Sequence, residues 1–178
     1  MGHREFYGIG YTSRREYRAA FEKWLTTLDV DLFVTLSFSQ NMWFQQARPL
    51  LGEWFARLDN HYLGRGWVRR STDERTFAVA VAENISTNPH YHCLMRLPGW
   101  GRRQAINECA ITLDRYWRRL AWGGTSDVQL IYDLPPLAFY MVKQLVRPGY
   151  EQHYLLSSEF HNTRKGSPGS AAGSGSSR

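Results

Sequence analysis

Asn88-Pro89-His90-Tyr91-His92-Cys93-Leu94-Met95-Arg96-Leu97 is a short apolar run that opens on two histidines. Asn88-Pro89 bounds it on one side and Pro98-Gly99 on the other. Its length and punctuation read as a β-strand over 90–97. Residues i and i+2 of a strand point to one face, so His90 and His92 present two imidazoles side by side. Two neighbouring nitrogen donors are a natural grip for a metal ion.

Immediately upstream, Thr76–Glu83 alternates. Phe77, Val79, Val81 and Glu83 share one face, and Ala78, Ala80 and Ala82 share the other. Residues 84–89 are turn formers, so the two strands are expected to pair as a hairpin. Several registers of that hairpin bring Glu83 beside the imidazoles. Glu83 also breaks an otherwise apolar face, and a carboxylate there makes a hard, oxygen-containing site for Mg²⁺ or Mn²⁺ more natural than a zinc cage.

Working outward, Tyr17, Phe21, Trp24, Leu25 and Leu28 recur at helical spacing. They predict a helix over 14–28, opened by a capping box at Ser13-Arg14-Arg15-Glu16. A strand over 30–38 follows, with Leu32, Val34, Leu36 and Phe38 on one face and Asp31, Phe33, Thr35 and Ser37 on the other. A second helix runs to about residue 63, with Pro49 expected to start its regular part or kink it. Trp67–Arg70 reads as a short strand before the turn at Thr72-Asp73-Glu74. A third helix covers Arg102–Leu120, and a fifth strand covers Asp127–Tyr132. A short helix spans about Pro136–Arg147, and residues 150–163 read equally as a last strand or a helix. This order predicts an α+β domain over 1–165, with one central, mainly antiparallel, five-stranded sheet flanked by helices. Residues 166–178, rich in Gly and Ser, form a flexible tail or linker.

The 178 residues carry a net charge of +6, with nineteen arginines against three lysines. Arginine's planar fork suits phosphates and base edges, so nucleic acid is the first partner to consider. Cys93 and Cys109 form no CxxC pair and read as core residues. The N-terminal stretch does not have the pattern of a signal peptide, and no apolar run approaches membrane-spanning length. An intracellular, cytoplasmic protein with no membrane partner is expected.

The short helix supplies a second chemical group. Tyr140, Lys143, Gln144 and Arg147 fall at i, i+3, i+4 and i+7, forming one polar stripe opposite Leu137, Ala138, Met141, Val142 and Leu145. A phenol can attack phosphorus covalently. An ammonium one turn away can steady negative charge or hold a phosphate backbone. Separately, an HxH and a Tyr-x-x-Lys arise often by chance. Together, in this order and on these elements, they point to one site.

At this point the chain resembles the HUH endonucleases, in particular the single-tyrosine rolling-circle replication initiators (Rep proteins). Phe33-Val34-Thr35-Leu36-Ser37-Phe38 resembles the family's first motif and Pro89-His90-Tyr91-His92 its histidine–hydrophobic–histidine motif. Glu83 is placed like its carboxylate ligand, and Tyr140-Met141-Val142-Lys143 is similar to its Tyr-x-x-Lys helix. The resemblance spans about residues 30–147. It implies an HUH (ferredoxin-like, RRM-like) sheet and a metal held by His90, His92 and Glu83. It also implies Tyr140 as nucleophile through a 5′-phosphotyrosine, with Lys143 beside it. Thr35, Ser37, Gln144 and Arg147 become the expected DNA contacts. Single-stranded DNA or an origin hairpin is the implied partner. A helicase domain or host replication proteins would act alongside, in a prokaryotic host or mobile element.

Three other readings compete. A relaxase or single-strand transposase of the same superfamily keeps the chemistry, although transposases often carry Gln where Lys143 stands. A non-catalytic RNA-binding α+β module would use Phe33, Phe77 and Tyr91 for base stacking, and would leave the His pair and the Tyr–Lys stripe unexplained. A metallohydrolase would need a general base beyond the ligands.

Overall fold

Alternation builds the sheet, and the helices follow from what its two faces leave apolar. A computed structural model describes residues 14–39, 44–84, 89–101, 105–145 and 154–161. Its elements are α1 (Arg14–Leu25), β1 (Leu32–Ser37), α2 (Phe44–Leu63), β2 (Phe77–Glu83), β3 (His90–Arg96), α3 (Ile106–Leu120), β4 (Ser126–Leu130), α4 (Leu134–Leu145) and β5 (Tyr154–Leu156). Short 3₁₀ turns lie at Trp67–Arg69, Thr72–Glu74 and Ser157–Phe160. The protein is an α+β domain with a five-stranded antiparallel sheet in the order β4-β1-β3-β2-β5, flanked by four helices. The run β1-α2-β2-β3-α3-β4, with sheet order 4-1-3-2, is the split βαβ arrangement of ferredoxin-like folds. β5 extends it beyond β2, and α1 and α4 cover its second face.

Each face has its own core. Leu32, Val34, Leu36, Ala78, Ala80, Ala82, Tyr91, Cys93 and Met95 point toward α2 and α3, where they bury Trp54, Phe55, Leu58, Leu113 and Trp117. The two indoles meet edge-on with centroids 6.0 Å apart, and each finds a carbonyl. Trp54 Nε1 donates to Leu113 O at 3.1 Å and Trp117 Nε1 to Ser37 O at 2.8 Å, which removes the cost of burying an unpaired N–H. On the other face Phe33, Val79, Val81 and Leu94 meet Phe21 and Leu25 of α1 and Ala138, Met141 and Val142 of α4. This second layer carries the histidines.

Some sequence expectations require correction. Trp67–Arg70 is not a strand. Its backbone closes 3₁₀ turns from Trp67 N to Gly64 O, Arg69 N to Gly66 O and Arg70 N to Trp67 O. Trp67 is buried, with the Arg75 guanidinium 4.5 Å above its ring. The fifth strand is instead Tyr154–Leu156, from the stretch that read as either strand or helix. Pro49 does not open α2, since the helix starts at Phe44 and continues through it. α1 stops at Leu25, where Thr26 and Thr27 turn their hydroxyls onto Lys23 O and Trp24 O, both at 2.7 Å. Such side-chain capture competes with further helical bonding. Ser13, residues 102–104 and the tail 166–178 lie outside the described residues, while both cysteines are buried as expected.

Candidate active site

Register decides whether the histidines and the carboxylate meet. β2 and β3 pair with Glu83 opposite His90 and Val81 opposite His92, so Glu83 and both imidazoles occupy adjoining positions on one face. Asn84, at φ 51, turns the chain directly after Glu83 and ends the strand there. Tyr91, between the histidines, drops into the opposite core, as alternation demands.

The three side chains converge on one oxygen. His90 Nε2 lies 3.1 Å and His92 Nε2 2.7 Å from Glu83 Oε2. Adjacent ligands of an octahedral ion with bonds of about 2.1 Å sit about 3.0 Å apart, so these separations already suit a shared cation. All three ligand atoms lie within 4.8 Å of one another, and among the described residues they form the one such cluster of His, Cys, Asp or Glu.

Burial and hydrogen bonding shift the titration of His92 and Glu83. Burial disfavours the imidazolium of His92 strongly enough that its pKa falls below 6.5 despite the Glu83 carboxylate. The shift favours the neutral ring, the form in which an imidazole can ligate a metal. Burial alone would raise Glu83, but hydrogen bonds from His92, Tyr140 and His90 outweigh it and hold the carboxyl below 4.5. His92 Nδ1 sits 3.1 Å from Thr35 Oγ1, which register places directly across from it on β1. Phe33 stacks on the same imidazole, with centroids 5.6 Å apart and planes 4° from parallel. Ring position and tautomer partner are thus both set by β1.

α4 completes the cluster. Ala138, Met141 and Val142 anchor its inner side in the core, which rotates Tyr140 toward the ligands. The Tyr140 hydroxyl donates to Glu83 Oε2 at 3.1 Å and lies 3.2 Å from His92 Nε2. Burial, then the Glu83 carboxylate, raises the phenol pKa above its ordinary 10.0. Even so, Tyr140 remains 37 % exposed, open to a substrate from outside. Lys143 is exposed one turn further along α4.

The structure therefore brings together Glu83, His90, His92, Tyr140 and Thr35. Thr35 faces His92 rather than open surface. Ser37 turns aside: its hydroxyl lies 2.7 Å from Thr125 Oγ1 and accepts from Thr125 N at 3.0 Å, tying β1 to the start of β4. Arg147 and the side chain of Gln144 lie outside the described residues. Sequence reasoning did not assign Phe33 to the histidine. The signal was its place two residues before Thr35 on the same face, which becomes informative only once β1 is known to lie beside β3. Comparison of the chain with protein-family models, with curated proteins and with solved structures finds no match.

Proposed function

We propose that this chain is a metal-dependent, sequence-specific single-stranded DNA endonuclease and ligase of the HUH type, nicking a replication origin to start rolling-circle replication. His90, His92 and Glu83 would hold Mg²⁺ or Mn²⁺, and Tyr140 would be the nucleophile. The observation that carries this reading is the position of the Tyr140 hydroxyl, 3.1 Å from the carboxylate oxygen onto which both histidines converge. A metal-binding strand pair alone would not require an accessible phenol at its edge.

A bound ion would polarise the scissile phosphate. The rest falls to the chain. Glu83 is the acceptor already hydrogen-bonded to the phenol. As Tyr140 Oη gives up its proton and forms its bond to phosphorus, the bond from phosphorus to the 3′ oxygen breaks. The leaving oxygen takes up a proton to become a free 3′-OH, and the 5′-phosphate stays esterified to Tyr140. The phosphodiester energy is kept in that ester, so attack by a 3′-OH reverses the step and reseals the strand. Lys143, one turn along α4, carries a charge suited to the DNA backbone. A helicase domain or host replication proteins would use the exposed 3′ end, in the cytoplasm. No helix among the described residues is long and apolar enough to cross a membrane.

The RNA-binding alternative keeps only the half-buried Phe77 of its three rings, because Phe33 is only 8 % and Tyr91 only 1 % exposed. Neither offers a ring face to a base. A relaxase or transposase shares the chemistry and differs in the DNA it selects. The test is a denaturing gel with a panel of single-stranded and hairpin oligonucleotides, with and without Mn²⁺. Wild type should give a covalent protein–DNA band that requires Mn²⁺ and disappears in Tyr140→Phe. An adduct that persists in Tyr140→Phe would remove the phenol from the mechanism.

A further inference from the structure

The helix pair that carries Tyr140 also presents an exposed feature that its chemistry does not use. α1 packs along α4, and the Arg18 guanidinium sits over the Phe139 ring, 4.7 Å from its centroid. Phe139 is the residue just before Tyr140, yet 51 % of it is exposed. Its neighbours at helical spacing, Ala138, Met141 and Val142, are the ones that enter the core. Lys143 lies four residues after Phe139, on the same side of α4, and Arg15 lies three before Arg18 on α1; both are exposed. An aromatic face is thus flanked by three cations beside the phenol.

We infer that Arg18 and Phe139 seat a nucleotide flanking the scissile phosphate, with the base against the ring and its phosphate on the guanidinium. This rests on the DNA-nicking reading for its location beside Tyr140. Single-stranded nucleic acid fits the chemistry. Every base has a π-face for the ring, and the adjoining phosphates match Arg15, Arg18 and Lys143. A strand attached at Tyr140 has its next nucleotide within reach of the adjacent side chain. The seat would then orient the phosphate before attack and keep the strand in place until it is resealed. Arg18 comes from a helix that supplies nothing to the metal cluster, so α1 gains a role beyond covering the sheet.

Anisotropy of a panel of fluorescein-labelled, mixed-sequence single-stranded oligonucleotides, titrated with the whole chain in EDTA, tests the seat without needing cleavage. Phe139→Ala should weaken binding about tenfold, as expected for loss of one base stack, while Phe139→Trp should bind like wild type. Arg18→Ala should weaken binding and lower the slope of log K against log salt by about 0.7, one phosphate on a single strand. The double variant should lose less than the product of the single losses, because ring and guanidinium hold one nucleotide. Neither Phe139 nor Arg18 is buried in the core, so thermal midpoints should not move.

Wild-type affinity in both alanine variants would overturn the seat, as would Phe139→Leu binding as well as Phe139→Trp. So would a wild type that binds none of the panel. The covalent-band assay on the same oligonucleotides separates the two claims. Adduct formation with unchanged binding in the variants sinks the seat alone. Phe139-dependent binding with no adduct sinks the nicking reading alone.

Discussion

Thr35→Val removes one hydroxyl and keeps the β-branched shape that suits β1. Its effect should be felt at a metal that Thr35 does not touch. Without an ion, a neutral His92 can donate from Nε2 to Glu83 Oε2 at 2.7 Å and accept at Nδ1 from the Thr35 hydroxyl at 3.1 Å. With an ion, Nε2 must offer its lone pair instead, and the proton moves to Nδ1. A hydroxyl can both donate and accept, so Thr35 serves both tautomers by rotating its O–H bond. Valine serves neither. In the metal-bound form it leaves a buried N–H facing a methyl group. Losing such an outer partner typically costs about 10–100-fold in metal affinity, equivalent to about 1.4–2.7 kcal/mol. At saturating Mn²⁺ that reduces the metal-induced rise in melting temperature by about 3–11 °C, taking about 2–4 °C per kcal/mol for a domain of this size. Isothermal titration with Mn²⁺ and melting with and without EDTA measure both quantities, and Thr35→Ser should recover most of the affinity. If Thr35→Val binds Mn²⁺ within twofold of wild type while melting lower in EDTA, the hydroxyl supports the strand and does not orient the ligand.

Two further outcomes follow from the same geometry. Both His92 and Glu83 titrate below their ordinary values of 6.5 and 4.5, so the unfolded chain binds more protons than the folded one. Metal-free stability should therefore rise with pH. The His92 share is complete above 6.5 and lost as pH falls toward its lowered value. The Glu83 share is complete above 4.5 and lost below that. His92→Gln should flatten the upper part of a melting-temperature titration in EDTA, and an unchanged slope would refute the assignment. Asp59 is fully buried, accepting from Arg75 Nε at 2.8 Å and Thr76 N at 2.7 Å. Asp59→Ala strands the Arg75 cation and should cost about 3–5 kcal/mol in urea unfolding, and a loss below about 1 kcal/mol would show that Arg75 finds water or another partner.

Which parts of this site could be read from sequence depended on whether a short-range period carried the information. His90, Tyr91 and His92 alternate within one strand. Glu83 is joined to them by a short hairpin, and Tyr140 and Lys143 lie one helical turn apart; each relation is local. Thr35 was legible as a polar residue on the right face of its strand, but not as the partner of His92. That depends on β1 pairing with β3 across a separation of 57 positions. The same holds for Phe33 on His92 and for Arg18 over Phe139, which exist only because β1 lies beside β3 and α1 lies along α4. Trp67–Arg70 failed for the opposite reason. An aromatic and a β-branched residue gave a strand-like local signal, but Gly64 and Gly66 supplied carbonyls for 3₁₀ closure. β2's outer edge had already been taken by Tyr154–Leu156, three residues too short to show a period. The residues within each motif are therefore local in the chain, while the contacts between motifs are distant, Tyr140 reaching Glu83 across the same separation of 57 positions as Thr35 reaching His92. Substitutions at Thr35 and Phe33 accordingly test how β1 holds His92, and Tyr140→Phe is the one that separates a strand pair able to bind some metal from the proposed nicking centre.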